Sequence, residues 1–110
     1  MRRNKRWQRS EDLTALNFDG RLVPGSGAGE EKLDVVILSG PLKGARIENK
    51  YTDKVTYSLT KKDLKKARNQ AKDMGCDHFM LIDMQDDLLN LRYVCIPETT
   101  FLNLIAQIQK

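Results

Sequence analysis

Two strand-like runs joined by a turn-rich hexapeptide constrain this chain more than any other feature. Asp34-Val35-Val36-Ile37-Leu38 and Ile47-Glu48-Asn49-Lys50-Tyr51-Thr52 are rich in β-branched and aromatic residues, and Ser39-Gly40-Pro41-Leu42-Lys43-Gly44 lies between them. The pattern predicts an antiparallel hairpin. If the hairpin is symmetric about Pro41, paired residues have numbers summing to 82. Asp34 then stands opposite Glu48, with Cβ atoms roughly 5 Å apart. Glu48 and Lys50, two residues apart, point to the same face of an extended strand. Two carboxylates and a lysine converge where a strand is ordinarily apolar. Facing like charges destabilise a ladder unless a hard divalent cation, bound by the carboxylate oxygens, offsets the repulsion. The hairpin therefore reads as half a metal site. The alternative is a solvated strand face carrying three charges, and register decides between the two.

The segments on either side extend both the fold and the candidate site. Lys5 to Asn17 contain no Gly or Pro, and Trp7, Glu11, Ala15 and Phe18 recur at helical spacing. Glu11 is thus set in an apolar stripe, where a glutamate needs a partner, and it is a candidate third acid aimed at the hairpin. A helix turned by a residue or two would instead bury Leu13 and Leu16 and leave Glu11 solvated. Arg21 to Gly29 holds three glycines within five residues and predicts a loop with exposed backbone. Its main-chain N–H groups and Ser26 could approach phosphate closely, with Arg21 supplying charge, although a flexible linker has the same composition.

Beyond the hairpin, Thr60 as N-cap and Gly75 as stop predict a helix over Lys61 to Met74. Leu64, Ala67, Ala71 and Met74 form its apolar stripe, and Lys61, Lys62, Lys65, Lys66, Arg68 and Lys72 cover much of the rest. The apolar run Phe79 to Ile82 predicts a buried strand parallel to the Glu48 strand. Asp86-Asp87 marks a turn, Leu91 to Ile96 a fourth strand, and Pro97 the start of a helix from Glu98 to about Gln109. The expected order is α-β-β-α-β-β-α, an α/β fold with a mixed sheet of about four strands flanked by helices.

At 110 residues the chain fits one domain, residues 1–110, with 1–6 expected as a flexible basic tail. Nineteen Lys and Arg against fifteen Asp and Glu give a net charge of +4. The excess crowds the start of the chain, at Arg2, Arg3, Lys5, Arg6 and Arg9, and favours a polyanionic partner. Cys76 and Cys95 have neither C-x-x-C spacing nor a zinc-site pattern, and read as reduced packing thiols. No run approaches the ~18 apolar residues of a membrane span, and no signal-peptide core follows the basic start. An intracellular, cytoplasmic protein is expected.

With Glu11, the Pro24-Gly25-Ser26-Gly27 loop, Asp34 and Glu48-x-Lys50 in order along residues 7 to 84, the chain resembles the PD-(D/E)xK nuclease superfamily. Within that superfamily it is most similar to the archaeal Holliday junction resolvases and their phage-encoded relatives. The signature's Pro-Asp is Leu33-Asp34 here, and residues 85–110 carry no family motif. The resemblance implies a restriction-endonuclease-like core and catalytic roles for Glu11, Asp34, Glu48 and Lys50. It also implies Mg²⁺, with Mn²⁺ able to substitute, held by Asp34, Glu48, Glu11 and the Asn49 backbone carbonyl. DNA contacts are expected from Arg2, Arg3, Lys5, Arg6, Arg9, Arg21, Ser26, Gly27, Lys61 and Lys62. The implied activity is structure-selective cleavage of four-way junctions or other branched duplexes by a homodimer. A nicking or restriction-like nuclease acting on duplex or damaged DNA, and a non-catalytic nucleic-acid-binding module, are the alternatives.

Overall fold

The computed structural model describes residues 5–24 and 33–109. It is an α+β fold in which three helices accompany one mixed sheet of five strands in the order β1-β2-β3-β4-β5. The elements are α1 (Arg6–Asn17), β1 (Gly20–Leu22), β2 (Val35–Ile37), β3 (Arg46–Thr52), α2 (Lys61–Met74), β4 (His78–Met84), β5 (Arg92–Cys95) and α3 (Glu98–Ile108). The hairpin has the predicted register, with Val35 opposite Ile47 and Val36 opposite Arg46. Gly40 and Gly44 sit at φ +82° and +89° in its connection, a region that side chains with a Cβ rarely adopt. Helix α2 has the predicted limits: the Thr60 hydroxyl accepts from the Asp63 amide at 3.1 Å, and Gly75 ends the helix in the left-handed conformation. β3 and β4 run parallel across the α2 crossover, and β5 returns antiparallel to β4.

The fifth strand is a departure from expectation. Arg21 and Leu22 belong to β1, which pairs antiparallel with β2, so the predicted loop begins only after them. The pairing depends on Gly20, because a Cβ there would lie 2.7 Å from both Val35 Cγ1 and the Val36 carbonyl oxygen. Asp19, at φ +50°, turns the chain out of α1 into this strand. Its carbonyl accepts from the Leu38 amide at 3.0 Å and its carboxylate accepts from the Ser39 hydroxyl, tying the turn to the hairpin. Arg6 lies in α1, so the helix reaches into the stretch expected as a tail.

The two sheet faces have different chemistry. Val35, Ile37, Ile47, Phe79 and Leu81 form the main core on one face, with Ala15 and Phe18 of α1 packed against them and the Phe18 and Phe79 rings 5.4 Å apart. On the other face α2 buries Ala67 and Ala71 against Leu33. Leu13 and Leu16 are 41% and 77% exposed, which excludes the rotated α1. The residues that α1 buries most deeply are polar, Ser10 and Thr14.

Candidate active site

The hairpin delivers its charges to the point where β2 ends and β3 continues. Leu33, buried and at φ +69°, turns the chain into Asp34, whose amide bonds the Ile47 carbonyl at 2.8 Å and whose carbonyl takes the Val23 amide at 2.9 Å. Such a φ is strained for leucine and closed to proline, whose ring holds φ near −65°. The departure from the Pro-Asp signature therefore coincides with a backbone that proline cannot adopt. Beyond β2 the Asn49 amide has no strand partner, and the Asp34 carboxylate accepts from it at 2.7 Å. In an extended strand the N–H and C=O of one residue face the same edge, so the Asn49 carbonyl opens toward Asp34 as well.

Glu48 and Lys50 share the sheet face covered by α2, their ion-pair distance being 3.6 Å. Burial pushes the Glu48 carboxyl above its usual range, and the nearby negative charge of Asp34 adds to the rise. Lys50 opposes it, a hydrogen bond to Asp34 favours the protonated form, and Lys66 of α2 opposes again. Asp34 and Glu48 are thus a touching pair of acids with two lysines in electrostatic reach. Tyr57, in the connection between β3 and α2, belongs to the same neighbourhood. Burial raises its phenol pKa, Lys50 lowers it, and Asp63 and Glu48 raise it, so the hydroxyl remains a donor at neutral pH. Nothing in the spacing of Tyr57 or Lys66 sets them apart in the sequence; the crossover brings them there.

Glu11 stands apart from this pair. Helical spacing places it on the inward side of α1, with Ser10 and Thr14 buried and Ala15 and Phe18 against the core, and it is half-buried. Among the described residues, however, no three His, Cys, Asp or Glu side chains gather closely enough to ligate one ion. The structure brings together Asp34, Glu48, Lys50 and the Asn49 backbone, and does not place Glu11 in a three-acid cluster.

Behind the site, α1 is joined to the sheet by a polar network that sequence reasoning missed. Asn49 turns its side chain away from Glu48 and Lys50, donating to Ser10 Oγ at 3.0 Å and accepting from the Thr14 hydroxyl. The Ser10 hydroxyl donates to Asp83 at 2.6 Å, and Arg92 reaches Asp83 at 2.7 Å and Thr14 at 2.5 Å. The i, i+4 pair Ser10 and Thr14 is the trace this network leaves in the sequence.

The basic residues occupy distinct places. Lys5, Arg6 and Arg9 are exposed at the start of α1, where Arg6 meets Gln85 just beyond β4 at 3.5 Å. Lys61 and Lys62 are exposed in the first turn of α2, which follows the C-terminal end of β3. Both helix N-termini therefore lie at the C-terminal ends of the parallel strands β3 and β4, an arrangement suited to phosphate. Arg21 is exposed on β1. Arg2, Arg3, Ser26 and Gly27 lie outside the described residues. Among the described residues, no helix is long and apolar enough to cross a membrane. No protein-family model, curated protein or solved structure matches this chain.

Proposed function

We propose that this chain is a metal-dependent endodeoxyribonuclease with a restriction-endonuclease-like core, acting on four-way junctions or similarly branched DNA as a homodimer. The observation that carries this reading is the contact between Asp34 and Glu48 beside Lys50. Two oxygen-ligand acids held together, one of them pushed toward its neutral form by burial and then by the other's charge, are a donor set for a hard divalent cation. Asp34, Glu48 and the Asn49 carbonyl would hold Mg²⁺ or Mn²⁺, with Glu11 contributing through water. When bound, the ion supplies charge against the scissile phosphate and lowers the pKa of a coordinated water. Lys50 orients the attacking water and stabilises the charge that develops on the phosphoryl oxygens. Arg6, Arg9, Lys61 and Lys62 steer the phosphate backbone to the same end of the sheet.

The test is a cleavage assay on a four-way junction, a linear duplex and a single strand, each with Mg²⁺ and with chelator. Paired nicks in the junction, dependent on Mg²⁺, are expected. Cutting that survives chelation rules the reading out, and equal cutting of plain duplex replaces the junction with an ordinary duplex substrate. Asp34→Asn, Glu48→Gln and Lys50→Ala should each lower cleavage by about a hundredfold or more while DNA binding persists, because each removes charge used in the transition state.

A further inference from the structure

The flank of α2 away from Glu48 borders a different feature. There α2 and the start of α3 enclose an open cleft of about 680 Å³ over the β4–β5 ladder, a size typical of small-molecule sites. Leu64 and Ala71 of α2, Met80 of β4 and Ile96 give it apolar walls. Arg68 and Lys72 line it as well, and neither forms an ion pair among the described residues. Thr100, most of whose surface is buried, lines the same cleft with its hydroxyl open to solvent and bonded to no described residue. Helix α3 begins at Pro97 without a side-chain cap, leaving the first-turn amides of Glu98, Thr99 and Thr100 without helical acceptors. His78, at the floor, is kept neutral mainly by burial, with Arg68 adding to the effect and Asp77 opposing it. Asp77 at the cleft and Glu98 in the first turn of α3 are the acids nearby.

Two cations, a hydroxyl and a set of amides are more donors than one carboxylate accepts, whereas a phosphate monoester offers three strongly accepting oxygens. The apolar walls call for a flat, uncharged body attached to it. We propose that this cleft binds a mononucleotide, its phosphate held by Arg68, Lys72 and Thr100 and its base lying against Leu64 and Ile96. The site is separate from the acid pair: Asp63 and Lys66, which act on Tyr57 and Glu48, are on one flank of α2, and Leu64, Arg68 and Lys72 are on the other. The inference therefore does not rest on the nuclease reading.

The experiment is calorimetric titration of the intact chain with adenosine monophosphate, adenosine and inorganic phosphate, repeated on Arg68→Ala and Lys72→Ala. Both residues are exposed on α2, so the fold should tolerate the changes. Adenosine monophosphate should saturate in the sub-millimolar range, with the two fragments at least about tenfold weaker. Each substitution should weaken it by about tenfold, the usual loss for one charged hydrogen bond to a ligand. Cys76 and Cys95 line the cleft and report on it independently: the bound nucleotide should slow their alkylation, measured above neutral pH because burial pushes the Cys76 thiol up. Glu48→Gln should bind the nucleotide as the unaltered chain does. The proposal is overturned by absence of saturation below roughly 10 mM, by inorganic phosphate binding as tightly as the nucleotide, or by affinity unchanged in both variants.

Discussion

Burial and the neighbouring Asp34 carboxylate favour the neutral form of Glu48, so this residue opposes stability in the state in which it would bind a cation. As pH rises above the ordinary value of 4.5, an unfolded chain releases the Glu48 proton while the folded chain still holds it. The folded state then binds more protons, and stability falls with pH through the window from 4.5 up to the raised folded value. Glu48→Gln should remove that slope and raise stability at neutral pH, by on the order of 1 kcal/mol, as is common when a functional site is relieved. Thermal unfolding across pH, with and without Mg²⁺, checks both statements: Mg²⁺ should raise the melting temperature of the unaltered chain and leave Glu48→Gln unmoved. Leu33 makes a second residue-scale test. Installing the signature proline by Leu33→Pro forces a φ of the wrong sign and should cost about 3 kcal/mol or more in denaturant unfolding.

At the scale of elements, α1 is held as much by polar groups as by its apolar contacts. The Arg92 and Asp83 side chains are 8% and 13% exposed, and removing one partner strands the other charge away from water. Arg92→Ala should therefore cost about 3–5 kcal/mol, while Asp83→Leu with Arg92→Leu should recover much of the loss. Urea denaturation of the two variants decides it. The same helix marks where sequence reasoning stopped. Helix α2 and the hairpin were legible because their determinants are local: a Thr60 cap, a Gly75 stop, a periodic stripe, and a glycine-punctuated turn that sets register. Asp34 could be placed beside Glu48 for that reason. Ser10 and Thr14 were not legible as the buried side of α1, since polar residues are buried only when partners come from elsewhere, here Asp83 and Arg92 on distant strands. β1 was hidden because Gly20 reads as a breaker, while its value lies in the missing Cβ that lets two backbones approach. Tyr57 and Lys66 join the site only through the crossover.

Across the whole molecule, apolar surface is left over on the edge strand β5 and on α3. Tyr93 and Val94 on the edge strand β5 are exposed, as are Phe101, Leu102 and Ile108 on α3, Ile108 by 79%, while Leu104 and Ile105 are half-buried. Phe101 and Ile108 are thus available for self-association. The proposed homodimer predicts twice the monomer mass in light scattering at micromolar concentration. Ile108→Asp should return it to a monomer without unfolding, since that side chain contributes little to the monomer core. A monomer both free and on DNA would favour a nicking nuclease. The ties that seat α1 also impose an order in time. Ser10 meets Asp83 across 73 positions and Thr14 meets Arg92 across 78, whereas the hairpin with Asp34, Glu48 and Lys50 closes over a short turn. Local contacts form ahead of distant ones because a short loop costs less entropy to close. During synthesis the hairpin can therefore pair early and offer α1 the Asn49 side chain and its apolar contacts, whereas the ties of Ser10 to Asp83 and of Thr14 to Arg92 close only once those later strands have left the ribosome.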